Sequence, residues 1–105
     1  MSTANELFKL GCKQYNNKQY QPAVEAFKQS LALKQHWYSY QGLGSALLKI
    51  EQYQPAVEAF KQSLALKQHW SSYQGLGSAL LKIEQYQPAV NAFKQSLALK
   101  QHWSS

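Results

Sequence analysis

The chain has 105 residues, 45% of them hydrophobic, and a formal net charge of +6, a composition that supports one small domain with a single core. Its longest apolar runs, such as residues 46–48, are far shorter than the roughly 20 residues of a membrane-spanning helix. The N-terminus lacks the basic and apolar regions of a secretory signal. We therefore expect a cytoplasmic protein with no membrane partner. The single cysteine, Cys12, excludes an intramolecular disulfide and a cysteine-rich zinc site.

The charged residues are of two types only. Every cation is a lysine and every anion is a glutamate, because the chain contains neither arginine nor aspartate. Arginine makes the bidentate contacts to phosphate and guanine on which most nucleic-acid readers depend, so we expect no nucleic-acid partner. The positive net charge instead favours encounter with acidic partners, in a salt-dependent way.

The sequence repeats itself with a period of 33 residues. Three prolines and three tryptophans mark the period: Pro22, Pro55, Pro88, Trp37, Trp70 and Trp103. The period divides the chain into three units: residues 4–36, 37–69 and 70–102. Units two and three differ only at Tyr38 against Ser71 and at Glu58 against Asn91. Such near identity is typical of a recent duplication or of deliberate design, and it indicates a tandem array.

Each unit is predicted to form two helices. In helix A of unit two, from about residue 38 to residue 50, apolar residues recur every three or four positions: Tyr40, Leu43, Leu47 and Ile50. Helix B begins near Pro55, which a first helical turn tolerates, and Val57, Phe60 and Leu64 follow at helical spacing. Because one such hairpin cannot bury both its faces, the units must stack. We expect an all-α fold, an α-solenoid of three stacked antiparallel helix hairpins with six helices, in a single domain over residues 1–105.

The pattern within a unit resembles that of the tetratricopeptide repeat (TPR) family. In unit two the matching residues are Tyr40, Leu43, Gly44, Leu47, Ala56, Phe60 and Ser63. In unit three they are Tyr73, Leu76, Gly77, Leu80, Ala89, Phe93 and Ser96. Unit one keeps the pattern less fully, with Gln14 at the position of Leu47. The resemblance implies a right-handed superhelix and a non-catalytic scaffold without a cofactor, which binds a peptide or protein segment on the concave surface of its A helices.

The same resemblance places the peptide-binding residues. Carried over by position, they are Phe8, Cys12, Tyr15, Tyr38, Gln41, Ser45, Leu48, Lys49, Gln74, Ser78, Leu81 and Lys82. Lys49 and Lys82 would pair with acidic side chains of the bound segment. Some family members hold the C-terminus of a chaperone in a clamp of lysine, asparagine and arginine. We expect no such clamp, because its positions hold Phe8, Cys12, Gly42, Ser71 and Gly75.

The two ends of the array are predicted to differ. The polar first unit is typical of an N-terminal cap, whereas no capping helix follows the third helix B. We therefore expect an apolar face at Val90, Leu97 and Trp103 that is covered by another copy, or by further repeats if the chain is a fragment of a longer array. Self-association of stacked or swapped chains, with no specific ligand, is the alternative function. Such an array could be engineered.

The junction between units two and three, residues 66–72, lacks a strong helix breaker. One interpretation is a tight turn with Ser71 or Ser72 as the N-cap. The other is a helix B that runs continuously into the next helix A, which would force hairpins to exchange between chains.

The sequence shows no catalytic constellation. The histidines occur once per unit, at His36, His69 and His102, too far apart on stacked helices to share one metal ion. Cys12 has no general base or orienting group near it in the sequence. We therefore expect neither an enzyme nor a metal site.

Overall fold

The computed structural model describes the backbone of residues 2–104 and the side chains of residues 2–101. Within that span the chain forms six helices and no strand. The helices are α1 (Ala4–Asn16), α2 (Tyr20–Leu33), α3 (Trp37–Lys49), α4 (Tyr53–Leu66), α5 (Trp70–Lys82) and α6 (Tyr86–Ser104). The predicted all-α solenoid of six helices is confirmed. No helix of the described residues combines the length and the hydropathy that a bilayer crossing requires.

The helices pair in chain order into three hairpins, α1 with α2, α3 with α4, and α5 with α6. Each hairpin is closed by a turn of three residues whose middle member, Lys18, Glu51 or Glu84, has a φ of 63°. The hairpins stack because α2 packs against α3 and α4 against α5. The A helices α1, α3 and α5 also contact each other in sequence, whereas the described parts of α2, α4 and α6 do not. The stack therefore curves with the A helices on its inner side.

The core is built on phenylalanine rings wedged between glycines of two neighbouring A helices. Phe27 is buried, and a Cβ atom added to Gly11 of its own unit would lie 2.7 Å from the ring. A Cβ added to Gly42 of the following unit would also lie 2.7 Å from that ring. Phe60 is held in the same way between Gly44 and Gly75. Helices α3 and α5 each carry two glycines, because a phenylalanine ring on each side leaves no room for a side chain.

Buried serines tie α2 and α4 to the A helices on both sides of them. Ser30 of α2 donates a hydrogen bond to the backbone carbonyl of Ala4 at 2.8 Å, and its hydroxyl lies 3.5 Å from that of Ser39 in α3. Ser63 of α4 repeats the arrangement with the carbonyl of Trp37 and the hydroxyl of Ser72, both at 2.8 Å. These bonds satisfy polar groups that the stacking of units removes from water.

The junction between units two and three is a tight turn, so α4 does not continue into α5. Residue Lys67 is extended (φ −157°), and α5 begins at Trp70 with His69 as its N-cap. The prediction of Ser71 or Ser72 as the N-cap is therefore wrong. Ser72 cannot cap the helix because it is buried against α4, and Ser71 lies in the first turn, where its backbone N–H donates to Nδ1 of His69 at 3.2 Å.

Helix α6 has 19 residues, whereas α2 and α4 have 14. The segment Leu-Ala-Leu-Lys-Gln-His-Trp occurs three times, at residues 31–37, 64–70 and 97–103. In the first two copies the chain leaves the helix within this segment, but in the third it stays helical. The same seven residues therefore adopt two conformations. The turn occurs in the two copies that a further hairpin follows and packs against.

Candidate binding groove

A groove of about 590 Å³ opens between α3 and α5 on the inner side of the stack. The residues that line it are Tyr15, Gln41, Ser45, Leu48, Lys49, Tyr53, Phe60, Trp70, Ser71, Gln74, Gly75, Ser78 and Lys82. Most of them belong to the two A helices. The start of α4 contributes Tyr53, and the end of α1 contributes Tyr15.

The groove exists because two aromatic side chains are missing at this step of the array. Between α1 and α3 the ring of Phe8 packs edge-on against the ring of Tyr38, with centroids 4.6 Å apart, and the Tyr38 hydroxyl donates to Asn5 at 3.4 Å. One unit further along, the equivalent residues are Gln41 and Ser71. These smaller or more polar side chains leave open the space that the aromatic pair fills.

The structure brings together most of the residues that the sequence placed in a binding surface. Eight of the predicted residues line the groove: Tyr15, Gln41, Ser45, Leu48, Lys49, Gln74, Ser78 and Lys82. Phe8 and Tyr38 do not line it, because they pack against each other. Cys12 lies in a neighbouring pocket of about 240 Å³, and Leu81 is exposed outside the groove.

Five of the lining residues are not among the predicted peptide-binding residues: Tyr53, Phe60, Trp70, Ser71 and Gly75. Trp70, the first residue of α5, forms one end of the groove. Gly75 has no side chain to cover the ring of Phe60, which therefore forms part of the groove floor. The one signal in the sequence was the replacement of Tyr38 by Ser71 between near-identical units.

The lining combines apolar, hydrogen-bonding and cationic groups. The amides of Gln41 and Gln74 and the hydroxyls of serines can bond to a peptide backbone, and the aromatic rings offer apolar contact. Lys49 and Lys82 are exposed at the groove, and none of the lining residues is acidic. The site therefore combines two cationic side chains with groups that can bond to a peptide backbone.

His69 borders the groove through its neighbour Ser71. Its Nδ1 accepts from the Ser71 backbone N–H at 3.2 Å and lies 2.7 Å from the Ser71 hydroxyl. Burial, with the nearby charge of Lys67, lowers the pKa of the imidazole, which favours the neutral form that can accept these bonds. At the junction between units one and two, the equivalent His36 stacks flat on Tyr38 instead, with ring centroids 4.8 Å apart.

The described residues offer no support for catalysis. Burial raises the pKa of the Cys12 thiol, the opposite of what a nucleophilic thiolate needs. No group of three or more histidine, cysteine or acidic side chains in the described part of the chain could hold a metal ion.

Helix α6 exposes two large apolar side chains. Val90 is 44% exposed and Leu97 is 58% exposed. The side chain of Trp103, the third predicted self-association residue, lies outside the described residues.

The stacked hairpins and the groove along their inner helices define a helical-repeat scaffold. The chain belongs to the tetratricopeptide repeat family, because models of this repeat match residues 4–37, 38–69 and 71–102. Members of this family are in general non-catalytic scaffolds for protein-protein interaction. No curated protein matches the sequence significantly.

Solved structures of TPR proteins share this fold. A crystal structure of MamA matches with 23% identity and a TM-score of 0.89, over 97% of this chain and 61% of that one. A MamA structure from Desulfovibrio magneticus RS-1 has 28% identity and a TM-score of 0.85, over 91% of this chain and 55% of that one. The second TPR of Spaghetti (RPAP3), bound to the HSP90 peptide SRMEEVD, has 20% identity and a TM-score of 0.91, with 93% of each chain covered. The chain thus spans little more than half the length of the MamA proteins.

Proposed function

We propose that this chain is a non-catalytic recognition module that binds a segment of a partner protein in the groove between α3 and α5. The observation that carries the proposal is the loss of the aromatic pair at this step of the array. Phe8 and Tyr38 fill part of the space between α1 and α3, where a pocket of about 240 Å³ remains, whereas Gln41 and Ser71 leave a groove of about 590 Å³ between α3 and α5. That volume is within the range of ligand-binding clefts.

The bound segment is proposed to be acidic. Lys49 and Lys82 stand on successive A helices at one groove, and neither faces a carboxylate in the lining. Each exposed lysine contributes only a modest binding free energy. Together the two lysines raise the rate at which acidic segments meet the groove and disfavour basic segments. The Gln41 and Gln74 amides would bond to the peptide backbone, which contributes affinity with little dependence on sequence.

This chain would hold a peptide differently from the family members that clamp the C-terminus of a chaperone with lysine, asparagine and arginine. The Spaghetti TPR was solved with the HSP90 peptide SRMEEVD, which is acidic and ends in a free carboxylate. Here the clamp positions hold Phe8, Cys12, Gly42, Ser71 and Gly75, which offer no cation. We therefore expect that converting the C-terminal carboxylate of a bound acidic peptide to an amide changes its affinity little.

The test compares peptide binding by the wild type and by the variant Ser71→Tyr. That substitution copies the residue of unit two into unit three and fills the groove with a ring the fold already accommodates at Tyr38. A library of acidic, neutral and basic peptides is selected on the wild type, and affinities are measured by fluorescence anisotropy. We expect acidic peptides to be enriched and Ser71→Tyr to weaken their binding at least about tenfold, which corresponds to about 1.4 kcal/mol.

Charge-reversed variants provide the control. Lys49→Glu with Lys82→Glu should abolish the preference for acidic peptides, whereas Lys28→Glu with Lys94→Glu changes the net charge equally outside the groove and should preserve it. Equal binding by wild type and Ser71→Tyr would show that the groove is not the site. Equal loss in the two charge-reversed pairs would show that only the net charge matters.

Self-association is the second candidate function, and the exposure of Val90 and Leu97 on α6 favours it. The tight turn at residues 67–69 gives no support to exchange of hairpins through a continuous helix. A cytoplasmic location remains a prediction from the sequence.

A further inference from the structure

A second groove, of about 360 Å³, lies between α4 and α6, with α5 beneath it. We call it the outer groove, because its walls are two B helices. Its lining residues are Lys61, Leu76, Leu80, Gln85, Pro88, Asn91, Ala92 and Gln95. None of them lines the groove between α3 and α5. The two grooves are therefore separate sites.

The outer groove differs from the equivalent step between α2 and α4 at one position. Seven of its eight lining residues recur one unit earlier: Lys28, Leu43, Leu47, Gln52, Pro55, Ala59 and Gln62. The eighth is Asn91, where the earlier step has Glu58. Units two and three differ elsewhere only at Tyr38 against Ser71, and Ser71 lines the groove between α3 and α5. Both differences between the two units therefore fall at a groove.

This exchange changes the charge of the groove. At the earlier step the equivalent positions hold a lysine on one B helix, Lys28, and a carboxylate on the next, Glu58. At the outer groove they hold Lys61 and the uncharged Asn91, and no lining residue is acidic. The earlier step is thus neutral, whereas the outer groove has a net charge of one lysine. A ligand that brings a carboxylate restores the charge balance of the earlier step.

The exchange also replaces a hydrogen-bond acceptor by a donor. Glu58 accepts a hydrogen bond from the Gln54 amide at 3.3 Å, and the Asn91 oxygen Oδ1 accepts one from the Gln87 amide at 3.2 Å. The second polar atom of Glu58 is another carboxylate oxygen, whereas that of Asn91 is the donor Nδ2. Lys61 and the Asn91 Nδ2 are both donors, and donors are what a carboxylate requires.

The remaining lining suits an extended protein segment. The amides of Gln85 and Gln95 supply donors and acceptors, which match the N–H and C=O groups of an extended backbone. Leu76 and Leu80 form an apolar floor. The groove therefore offers contacts to the backbone and to an apolar side chain next to the carboxylate.

The outer groove is not a surface on which a further repeat packs. On α4, Val57 is covered by the following hairpin and is 1% exposed. The α4 residues Pro55, Glu58 and Gln62 stay exposed although that hairpin follows. They are the counterparts of Pro88, Asn91 and Gln95, which form the α6 wall of the outer groove.

We propose that the outer groove is a second binding site, which takes an extended protein segment with a carboxylate held between Lys61 and Asn91. The chain then holds two acidic segments, one on each side of α5. The proposal goes beyond the recognition proposed for the groove between α3 and α5 and is independent of it, because the two sites share no residue.

The test counts the peptides bound per chain. A peptide library is selected on Ser71→Tyr, in which the groove between α3 and α5 is filled, and isothermal titration calorimetry measures the binding of the tightest peptide. We expect this peptide to carry carboxylates and to bind once per chain. Asn91→Glu, which restores the residue of unit two, should weaken binding at least about fivefold. Converting the carboxylates of the peptide to amides should have a similar effect.

The reverse exchange should create another site. Glu58→Asn makes the lining between α2 and α4 identical to that of the outer groove, so two peptides should bind per chain. Glu25→Asn is the matched control. It changes the net charge equally and removes the same kind of hydrogen bond, which Glu25 accepts from Gln21 at 3.4 Å. No helix B precedes α2 in the described chain, so this control should still bind one peptide.

Asparagine provides a local probe of where the peptide binds. The chain has four asparagines: Asn5, Asn16, Asn17 and Asn91. With isotope-labelled asparagine, NMR of Ser71→Tyr resolves their side-chain amides, and Asn91→Glu identifies the Asn91 signal. Only this signal should shift when the selected peptide is added. Circular dichroism verifies that every variant is folded.

Each outcome decides the matter. A library that yields no peptide, or only peptides without carboxylates, overturns the proposal. So does binding that Asn91→Glu leaves unchanged, or a count of one peptide with Glu58→Asn. Displacement of the peptide by free glutamate at equal concentration would show a site for small acids and overturn the binding of a segment. A peptide held in the groove between α3 and α5 adds equally to every count, so the differences report the outer groove alone.

Discussion

Two glycine substitutions with the same local geometry are expected to differ in their effect on stability. A Cβ added to Gly44 would lie 2.8 Å from the ring of Phe60, and a Cβ added to Gly77 would lie 2.8 Å from the ring of Phe93. The flanking sequences are identical. Phe60 is closed in on its other side by Gly75, whereas Phe93 has no helix there. The two rings therefore differ in whether they can move away.

The expected free energies follow from two opposing terms. Replacing glycine by alanine inside a helix stabilises it by about 1 kcal/mol, and overpacking a closed core costs about 1 to 3 kcal/mol. For Gly44→Ala the overpacking cost applies in full, so the two terms leave a net destabilisation of up to about 2 kcal/mol. For Gly77→Ala the ring of Phe93 can shift into open space and avoid most of the overpacking cost, so we expect a net stabilisation of up to about 1 kcal/mol.

Urea denaturation followed by circular dichroism measures both unfolding free energies. Position in the array is controlled by Ala46→Gly and Ala79→Gly, which remove the same methyl group at fully buried sites of units two and three. If the two control substitutions lower the unfolding free energy by equal amounts, unit three unfolds in the same transition as unit two. The reasoning is refuted if Gly77→Ala then destabilises as much as Gly44→Ala, or if Gly44→Ala stabilises the protein.

Three further predictions concern single side chains. Ser63→Ala should lower the unfolding free energy by about 1 kcal/mol, because Ser63 is buried and donates to the Trp37 carbonyl; no change in urea denaturation would contradict this. The lowered pKa of His69 means that the unfolded chain binds the proton more readily, so the contribution of His69 to stability should be complete above about pH 6.5 and decline as the pH falls below it. His69→Asn, which caps the helix without titrating, should reduce that decline in thermal melts, and an unaltered pH profile would count against His69 as the N-cap of α5. Cys12, whose pKa burial raises, should react with a thiol reagent more slowly at pH 7.5 than a cysteine in the urea-unfolded chain, and equal rates would show that the thiol is open to solvent.

The repeat period and the hairpin architecture were determined by the sequence alone. Apolar spacing within 13 to 14 residues specifies each helix, and a hairpin with two apolar faces must stack. The close crossing of Gly44 and Phe60 was also predictable, since both residues belong to one unit. Eight of the binding residues that the resemblance to the TPR family predicted line one groove.

Contacts between units were decided only by the tertiary structure. From the sequence alone, Gly42 is expected only to weaken its helix. The structure shows that the ring of Phe27 from the preceding unit lies against Gly42 and leaves no room for a side chain. Likewise, the groove arises from the absence of a contact such as that between Phe8 and Tyr38, which are 30 residues apart. Local periodicity carries no information about which side chain of the next unit meets a given position.

The sequence alone also did not determine how the helices begin and end. The cap at His69 depends on an imidazole turned back towards the Ser71 backbone, whereas the sequence favoured a serine. The same segment Leu-Ala-Leu-Lys-Gln-His-Trp is a turn where another hairpin follows and a helix in α6. Its conformation is set by what packs against it, since the intrinsic helix propensities of identical residues are identical.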